Sequence, residues 1–215
     1  MERILAKSPL FAGLSPSDMD FALTFFNGRR RQYKAGEFLQ HAGAPVEKFG
    51  LLLRGSVQVC MNDLDGSMLI MATVSPGDTF AESLCFLRAG ESPVYIRAVQ
   101  DSELLWLDTE RLQQGAKCLR EHDMVNRFTG LLARRALSMN DRIQILSKPT
   151  LRQKINTFFA EQVRKTGSRV FTVPFDREGM AAYLGADRSA LSRELSRMKA
   201  EGLLDYYRSS FRLLD

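Results

Sequence analysis

The sequence predicts an α+β chain in three parts: an all-β domain of the closed sandwich or barrel type, a long helix, and a C-terminal winged helix-turn-helix. Three observations predict it. Residues 30–108 fall into short apolar segments punctuated by glycine and proline turns, as strands of a closed double-sheet fold do. From about Thr109 to Ser147 proline is absent, and Met124, Phe128, Leu131, Leu132, Ala136, Met139, Ile143 and Leu146 recur at helical or heptad spacing. Asp176 to Leu204 then reads as two short amphipathic helices joined by a tight glycine turn.

Taken in order, residues 1–27 read as short helices, with Ser15-Pro16-Ser17-Asp18 as a start signal that places proline near the first helical position. Strands are expected at 32–39, 49–59, 68–74, 94–99 and 103–107, with a hairpin turn at Asp65-Gly66 and another turn at Pro76-Gly77-Asp78. Pro149-Thr150 ends the long helix, because a residue before proline is pushed out of the helical region. The domains are therefore placed at 1–110, 111–148 and 149–215. A further helix is expected over 151–163, a short hairpin over 168–175, and two closing strands over 203–214 that turn at Arg208-Ser209-Ser210 as the wing.

The helix-turn-helix is marked residue by residue. Asp176 is an N-cap candidate, and Met180, Ala181 and Leu184 follow at helical spacing. Gly185 stands where a C-cap needs positive φ. Asp187 is placed to cap a second helix, 188–199, carrying Leu191, Leu195 and Met198 on one face, and Gly202 closes it. Arg188, Ser189, Ser192 and Arg193 face away from that stripe. Arginine can donate two hydrogen bonds to a guanine edge, and serine can bond a base or a phosphate. Helices so arranged place the second one in the DNA major groove.

Charge and composition agree. The chain has 215 residues, 45% of them hydrophobic, and a net charge of +5. Residues 150–215 hold 12 Lys/Arg against 8 Asp/Glu, while residues 1–149 hold 18 against 17, so the positive balance sits with the helix-turn-helix. No run approaches the ~18 apolar residues of a membrane span, and MERILAKSPLFAGLS lacks the apolar core of a signal peptide, so a cytoplasmic location is expected. Cys60, Cys85 and Cys118 are odd in number and widely spaced, which predicts buried small side chains and no disulfide or zinc site. No Ser/His/Asp or Cys/His set, metal-ligand spacing, Walker loop or GxGxxG is present, so no catalytic role is expected.

The run Tyr183-Leu184-Gly185-Ala186-Asp187-Arg188-Ser189-Ala190-Leu191-Ser192-Arg193-Glu194-Leu195, followed by Glu201-Gly202-Leu203-Leu204, resembles the helix-turn-helix of the Crp–Fnr superfamily of bacterial transcription regulators. Leu10-Phe11-Ala12-Gly13-Leu14-Ser15 is similar to the segment that leads into that superfamily's sensor domain, and the strand order resembles its cyclic-nucleotide-binding β-roll, a double-sheet jelly-roll-like fold. The resemblance implies a homodimer paired through the long helix, with Phe128, Leu131, Leu132 and Met139 at the interface. It also implies double-stranded DNA and RNA polymerase as partners and a small-molecule effector at the β-roll. Arg197 and Arg208 join Arg188, Ser189, Ser192 and Arg193 as candidate DNA contacts. Many members read Arg-Glu where this chain has Arg188-Ser189, so the usual operator does not transfer position by position.

Superfamily members that bind cAMP carry a segment of the type F-G-E-x-x-x-L followed by R-S/T. The glutamate accepts from the ribose, and the arginine neutralises the phosphate. Here Phe80-Ala81-Glu82 keeps the glutamate, but Ser92-Pro93 replaces the arginine-serine pair. Losing a charge-assisted bond of this kind costs on the order of 1.5–3 kcal/mol, so an effector other than cAMP is expected, with Glu82, Ser83, Arg88 and Arg97 as its candidate contacts. An iron–sulfur cluster needs about four thiolates, which three scattered cysteines do not supply. Two alternatives stand beside the leading reading: a cyclic-nucleotide-binding regulatory module, and a haem-based gas sensor with His41 or His122 as axial ligand. The cofactor is unknown.

Overall fold

The computed structural model describes residues 2–62, 68–173 and 175–214. By contact the chain divides into two units, 1–134 and 135–215. The expected turn at Asp65-Gly66 lies outside the described residues.

The first unit opens with α1 (Glu2–Leu5) and α2 (Pro16–Phe25). Ser15 caps α2, its hydroxyl accepting from the Asp18 amide at 3.2 Å, and Pro16 fills the first turn where its missing N–H costs nothing. Eight strands follow: β1 (Arg29–Tyr33), β2 (Phe38–Gln40), β3 (Phe49–Arg54), β4 (Val57–Asn62), β5 (Met68–Val74), β6 (Thr79–Phe80), β7 (Tyr95–Ala98) and β8 (Ser102–Leu107). The short helix α3 (Glu82–Phe86) interrupts them between β6 and β7, and α4 (Glu110–Gln113) follows the last. They form two four-stranded sheets, ordered β1-β8-β3-β6 and β2-β7-β4-β5, with every pairing antiparallel. This is the double-sheet roll.

β3 reads Phe-Gly-Leu-Leu-Leu-Arg and is buried on both faces over its first five residues. One face meets the core with Phe11, Phe25, Phe26 and Leu105, and the other meets Leu104, Ile96 and Phe80 between the sheets. A continuous apolar run, not an alternating one, is what such a doubly covered strand requires. Gly50 is fixed by this crowding, since a β-carbon there would lie 2.1 Å from the Phe80 ring.

The expected long helix is interrupted. Gly115, at φ +79°, lies between α4 and α5 (Leu119–Leu146). Along α5, Met124 and Phe128 join the core of the first unit, whereas Ile145 joins that of the second.

The second unit continues with α6 (Leu151–Thr166), β9 (Val170–Thr172), α7 (Arg177–Leu184), α8 (Arg188–Ala200), β10 (Leu204–Tyr207) and β11 (Ser210–Leu213). Thr150 caps α6 by accepting from the Gln153 amide at 3.2 Å. Among the described residues the expected hairpin over 168–175 is not formed. β9 pairs instead with β11, giving a three-stranded sheet in the order β10-β11-β9. Phe171 and Phe211 face each other across that pairing and bury together with Phe159, which fixes the partner choice.

Candidate functional site

The helix-turn-helix is assembled from local signals that the sequence states openly. The Asp176 carboxylate accepts from the Gly179 amide at 2.7 Å and starts α7. Gly185 ends it in the left-handed region, φ +60°, where the Ala186 amide reaches back to the Ala181 carbonyl at 3.0 Å. Asp187 stands at the N-cap of α8 with extended backbone, but its carboxylate makes no capping bond; its carbonyl alone receives the first helical amide, that of Leu191, at 2.9 Å. Leu191, Leu195 and Met198 are buried against Ile155, Phe158, Met180 and Leu184. That burial presses the apolar side of α8 inward and leaves the other side to solvent.

On that outer side stand Arg188, Ser189 and Arg193, all exposed, with Ser192 half-buried beside them. At 100° per residue these four positions fall within one quadrant and a half of the helix surface. Arg188 and Arg193 hold no hydrogen bond or ion pair among the described residues. Two free guanidinium groups on one helix face form a donor array suited to base edges and phosphates.

Arg197 follows Arg193 one turn on, about 40° around the axis, and differs from it in its partner: its guanidinium is 3.4 Å from Glu194. Glu194 in turn accepts from Arg152 of α6 at 2.5 Å, and Arg152 makes a second, two-pronged contact with Glu201 at 2.7 and 2.9 Å. The hydrogen bond from Arg152 holds the Glu201 carboxyl below the usual carboxylate range. This charge cluster ties the middle and the C-terminal end of α8 to α6. Sequence reasoning missed it because the partners are 42 and 49 residues apart.

The wing turns at Arg208, which adopts φ +52° although it carries a β-carbon. Arg177 supports the turn by donating to the Arg208 carbonyl at 3.1 Å, with its guanidinium 5.1 Å from the centre of the Tyr206 ring. The Arg208 side chain is exposed and lies 5.4 Å from the Tyr207 ring centre.

The candidate effector residues are not brought together. Glu82 begins α3 and is buried, its carboxylate accepting from the Thr79 hydroxyl. Ala81 before it sits at φ +66°, the conformation glycine would take without strain. Ser83 is exposed. Arg88, at φ +50°, lines a separate cleft with Lys48, Glu47 and Asp108. Arg97 requires correction as an effector contact. Ile96 and Ala98 point into the core between the sheets, so strand alternation turns Arg97 to the opposite face, where it donates to the Gln58 side chain at 3.2 Å. Ser92 is buried, with its hydroxyl 2.6 Å from the Val94 carbonyl, and its backbone exchanges hydrogen bonds with Gly43 and Ala44 at 2.8 and 2.9 Å. It fastens two loops and offers no charge to a phosphate.

Phe128 packs among Phe26, Phe49 and Phe86, so its ring is committed to the core of its own chain and is withdrawn from the proposed interface. Leu131 is buried, Leu132 packs partly against the same core, and Met139 is 65% exposed. His41 lies on the turn after β2, stacked on Phe38 at 4.9 Å, and His122 is exposed near the start of α5. Cys60 and Cys85 are buried as expected, but Cys118 is exposed. Burial raises the Cys85 thiol pKa and keeps it protonated. Among the described residues no helix is long and apolar enough to cross a membrane.

Comparison with known proteins places these features among relatives. The family model of the cyclic nucleotide-binding domain matches residues 30–117, and that of the Crp-like helix-turn-helix domain matches residues 151–215. The chain is 29% identical over 197 residues to the cyclic AMP receptor protein of Thermus thermophilus, covering 92% of this chain and 88% of that one. The crystal structure of the Thermus thermophilus catabolite activator protein superposes with a TM-score of 0.55 at 27% identity, covering 96% of this chain and 93% of the other. The c-di-GMP responsive global regulator CLP of Xanthomonas campestris shares the fold at a TM-score of 0.63 and 19% identity, with 94% and 100% coverage.

Proposed function

From the premise that this chain belongs to the Crp–Fnr superfamily of DNA-binding transcription regulators, we propose that it acts as a cytoplasmic homodimer whose α8 helices enter successive major grooves under control of an effector other than cAMP. The carrying observation is the outer face of α8. Arg188 and Arg193 stand free there beside Ser189 and Ser192, on a helix whose other side is sealed into a core. Arg193 reads a guanine edge, Ser189 and Ser192 complete the base and phosphate contacts, and Arg208 reaches a flanking phosphate from the wing. Arg197 serves the α6–α8 charge cluster first, and RNA polymerase is the partner once the protein is on DNA.

Two α8 helices must be held about 34 Å apart to reach successive major grooves. The long helix α5 is the element that supplies the pairing in this reading, and residues 111–148 form the dimerisation segment between sensor (1–110) and reader (149–215). Glu82 remains the polar anchor of an effector site inside the roll. Ser92-Pro93 argues against a cyclic phosphate there, because the buried Ser92 hydroxyl is occupied by the Val94 carbonyl and a serine carries no charge to match the phosphate.

The test is a fluorescence titration of the purified protein onto promoter DNA from its own operon, at fixed salt, with and without cAMP. Tight binding that cAMP leaves unchanged is expected. Arg193→Ala should weaken specific binding by about 1–3 kcal/mol and relax preference at one guanine per half-site. Weak binding rescued by cAMP would overturn the effector assignment, and equal weakening on specific and random DNA would make Arg193 a phosphate contact.

A further inference from the structure

A second cleft lies along the border strand β1, and none of Glu82, Ser83, Arg88 and Arg97 lines it. β1 reads Arg29-Arg30-Arg31-Gln32-Tyr33 and pairs with β8 so that Arg29 is opposite Trp106, Arg31 opposite Leu104, and Tyr33 opposite Ser102. Directly opposed residues of an antiparallel pair share a face, and alternate residues along a strand do too. Arg29, Arg31 and Tyr33 therefore stand on the same sheet face as Trp106. Arg30 is turned away and lies 3.6 Å from Glu103.

The other wall is the loop from His41 to Lys48, and the open cleft between them has a volume of about 540 Å³, in the size range of small-ligand sites. Its aromatic wall is fixed. The Trp106 indole N–H donates to the Tyr33 hydroxyl at 2.9 Å, and Phe80 meets the indole edge to face at 5.6 Å. Its rim is fixed as well, because the Gln40 amide donates to the carbonyls of Ala44 and Pro45, both at 3.2 Å, and Ser92 clasps the same loop through Gly43 and Ala44. Arg29, Arg31 and Lys48 line this cleft without a hydrogen-bonding or ion-pair partner among the described residues, against Glu47 as the lining carboxylate.

Three cations on the walls of one cleft, one of them Arg31 stacked 5.2 Å from the Tyr33 ring centre, beside a pre-oriented indole match a ligand with a flat ring at one end and phosphate at the other. We propose that this cleft binds a phosphorylated aromatic metabolite of the nucleotide class, its ring against Trp106 and its phosphates on Arg29, Arg31 and Lys48. Edge protection is the ordinary use of arginines on a border strand such as β1, and it would require no ligand. The ordered aromatic wall and the pinned rim are what that use leaves unexplained.

Trp106 is the one tryptophan of the chain, so its fluorescence reports this cleft directly. Full-length protein without DNA is titrated with ATP and with inorganic pyrophosphate at fixed salt, and calorimetry on the same samples detects binding that leaves the indole silent. ATP should bind saturably and quench Trp106, and pyrophosphate should compete while quenching less. The Arg29→Ala/Arg31→Ala double variant should fold with an unchanged thermal midpoint and bind ATP at least about tenfold more weakly. Glu82→Gln should leave ATP binding as it was. Absence of saturable binding at millimolar ATP, or full binding by the double variant, would overturn the proposal. Loss of binding in Glu82→Gln would place the ligand inside the roll instead. Displacement of pyrophosphate by duplex DNA but not by ATP would reduce the strip to a phosphate-backbone contact.

Discussion

Ala81 and Arg193 show how single positions carry opposite kinds of information. Ala81 holds φ +66° at the entry to α3, a conformation that brings its β-carbon against the backbone. The structure around it dictates the bend: Thr79 and Phe80 are buried in β6, and Glu82 must turn inward immediately afterwards. Ala81→Gly is expected to raise the stability of the sensor unit by about 0.5–1 kcal/mol, relief of strain outweighing the extra freedom of the unfolded chain. Urea unfolding followed by Trp106 fluorescence checks it, and a loss of stability would mean that the alanine methyl packs better than its backbone angle costs. Arg193 has no such internal role, so Arg193→Ala is expected to leave folding unchanged and, in the proposed reading, to act on DNA binding. Its position on the α8 surface was legible from spacing alone, because a helical face depends only on 3.6-residue periodicity.

At the scale of elements, α8 is held by two different means. The apolar contacts of Leu191, Leu195 and Met198 fix its depth, and the Arg152 bonds to Glu194 and Glu201 hold its middle and its C-terminal end. A second pair, Lys199 with Asp205 at 2.5 Å, joins the end of α8 to the wing. The hydrogen bonds from Arg152 and Lys199 depress the Glu201 and Asp205 carboxyls below their ordinary values. Each carboxyl therefore binds its proton less readily folded than unfolded. The stability it adds is complete at neutral pH and is lost as pH falls through and below the ordinary carboxylate range. The thermal midpoint of the reader unit, measured by calorimetry from neutral pH downward, should fall in that window. Glu201→Gln with Asp205→Asn should lower the neutral midpoint and flatten the fall; an unchanged slope would show that these exposed pairs are screened by solvent. Periodicity could place α6 and α8 but not the charges between them, since pairing at that separation depends on how two helices cross. The same limit explains β9. Its sequence looked like half of a local hairpin, and its partner lies some forty residues on, chosen by the Phe171–Phe211 contact.

For the whole molecule the question is what α5 does with its two stripes. Met124 and Phe128 are spent on the chain's own roll, and Leu131 is buried. Leu132, Ala136, Met139, Ile143 and Leu146 recur at alternating four- and three-residue steps, the seam of a coiled coil, and Met139 and Ile143 are 65% and 61% exposed. In the proposed dimer this second stripe faces its twin. Met139→Glu with Ile143→Glu should convert the protein to a monomer in sedimentation and weaken operator binding by about a hundredfold or more, the avidity of two linked half-sites being lost. A double variant that sediments as a dimer would move the interface elsewhere.

The sequence by itself determined the caps and turns of the helices and the exposed face of α8 proposed to read DNA. Ser15, Thr150, Asp176, Gly185 and Pro149 act within a few residues of themselves, through caps, fixed angles and missing donors, so their effects are written locally. Tertiary structure alone decided which stripe of α5 is buried, that Arg97 turns away from the roll interior, that Arg197 joins a charge cluster, and that Arg29, Arg31 and Trp106 share one cleft. Each of these depends on strand register or helix crossing, set by packing between residues far apart in the chain, and local spacing carries no record of it.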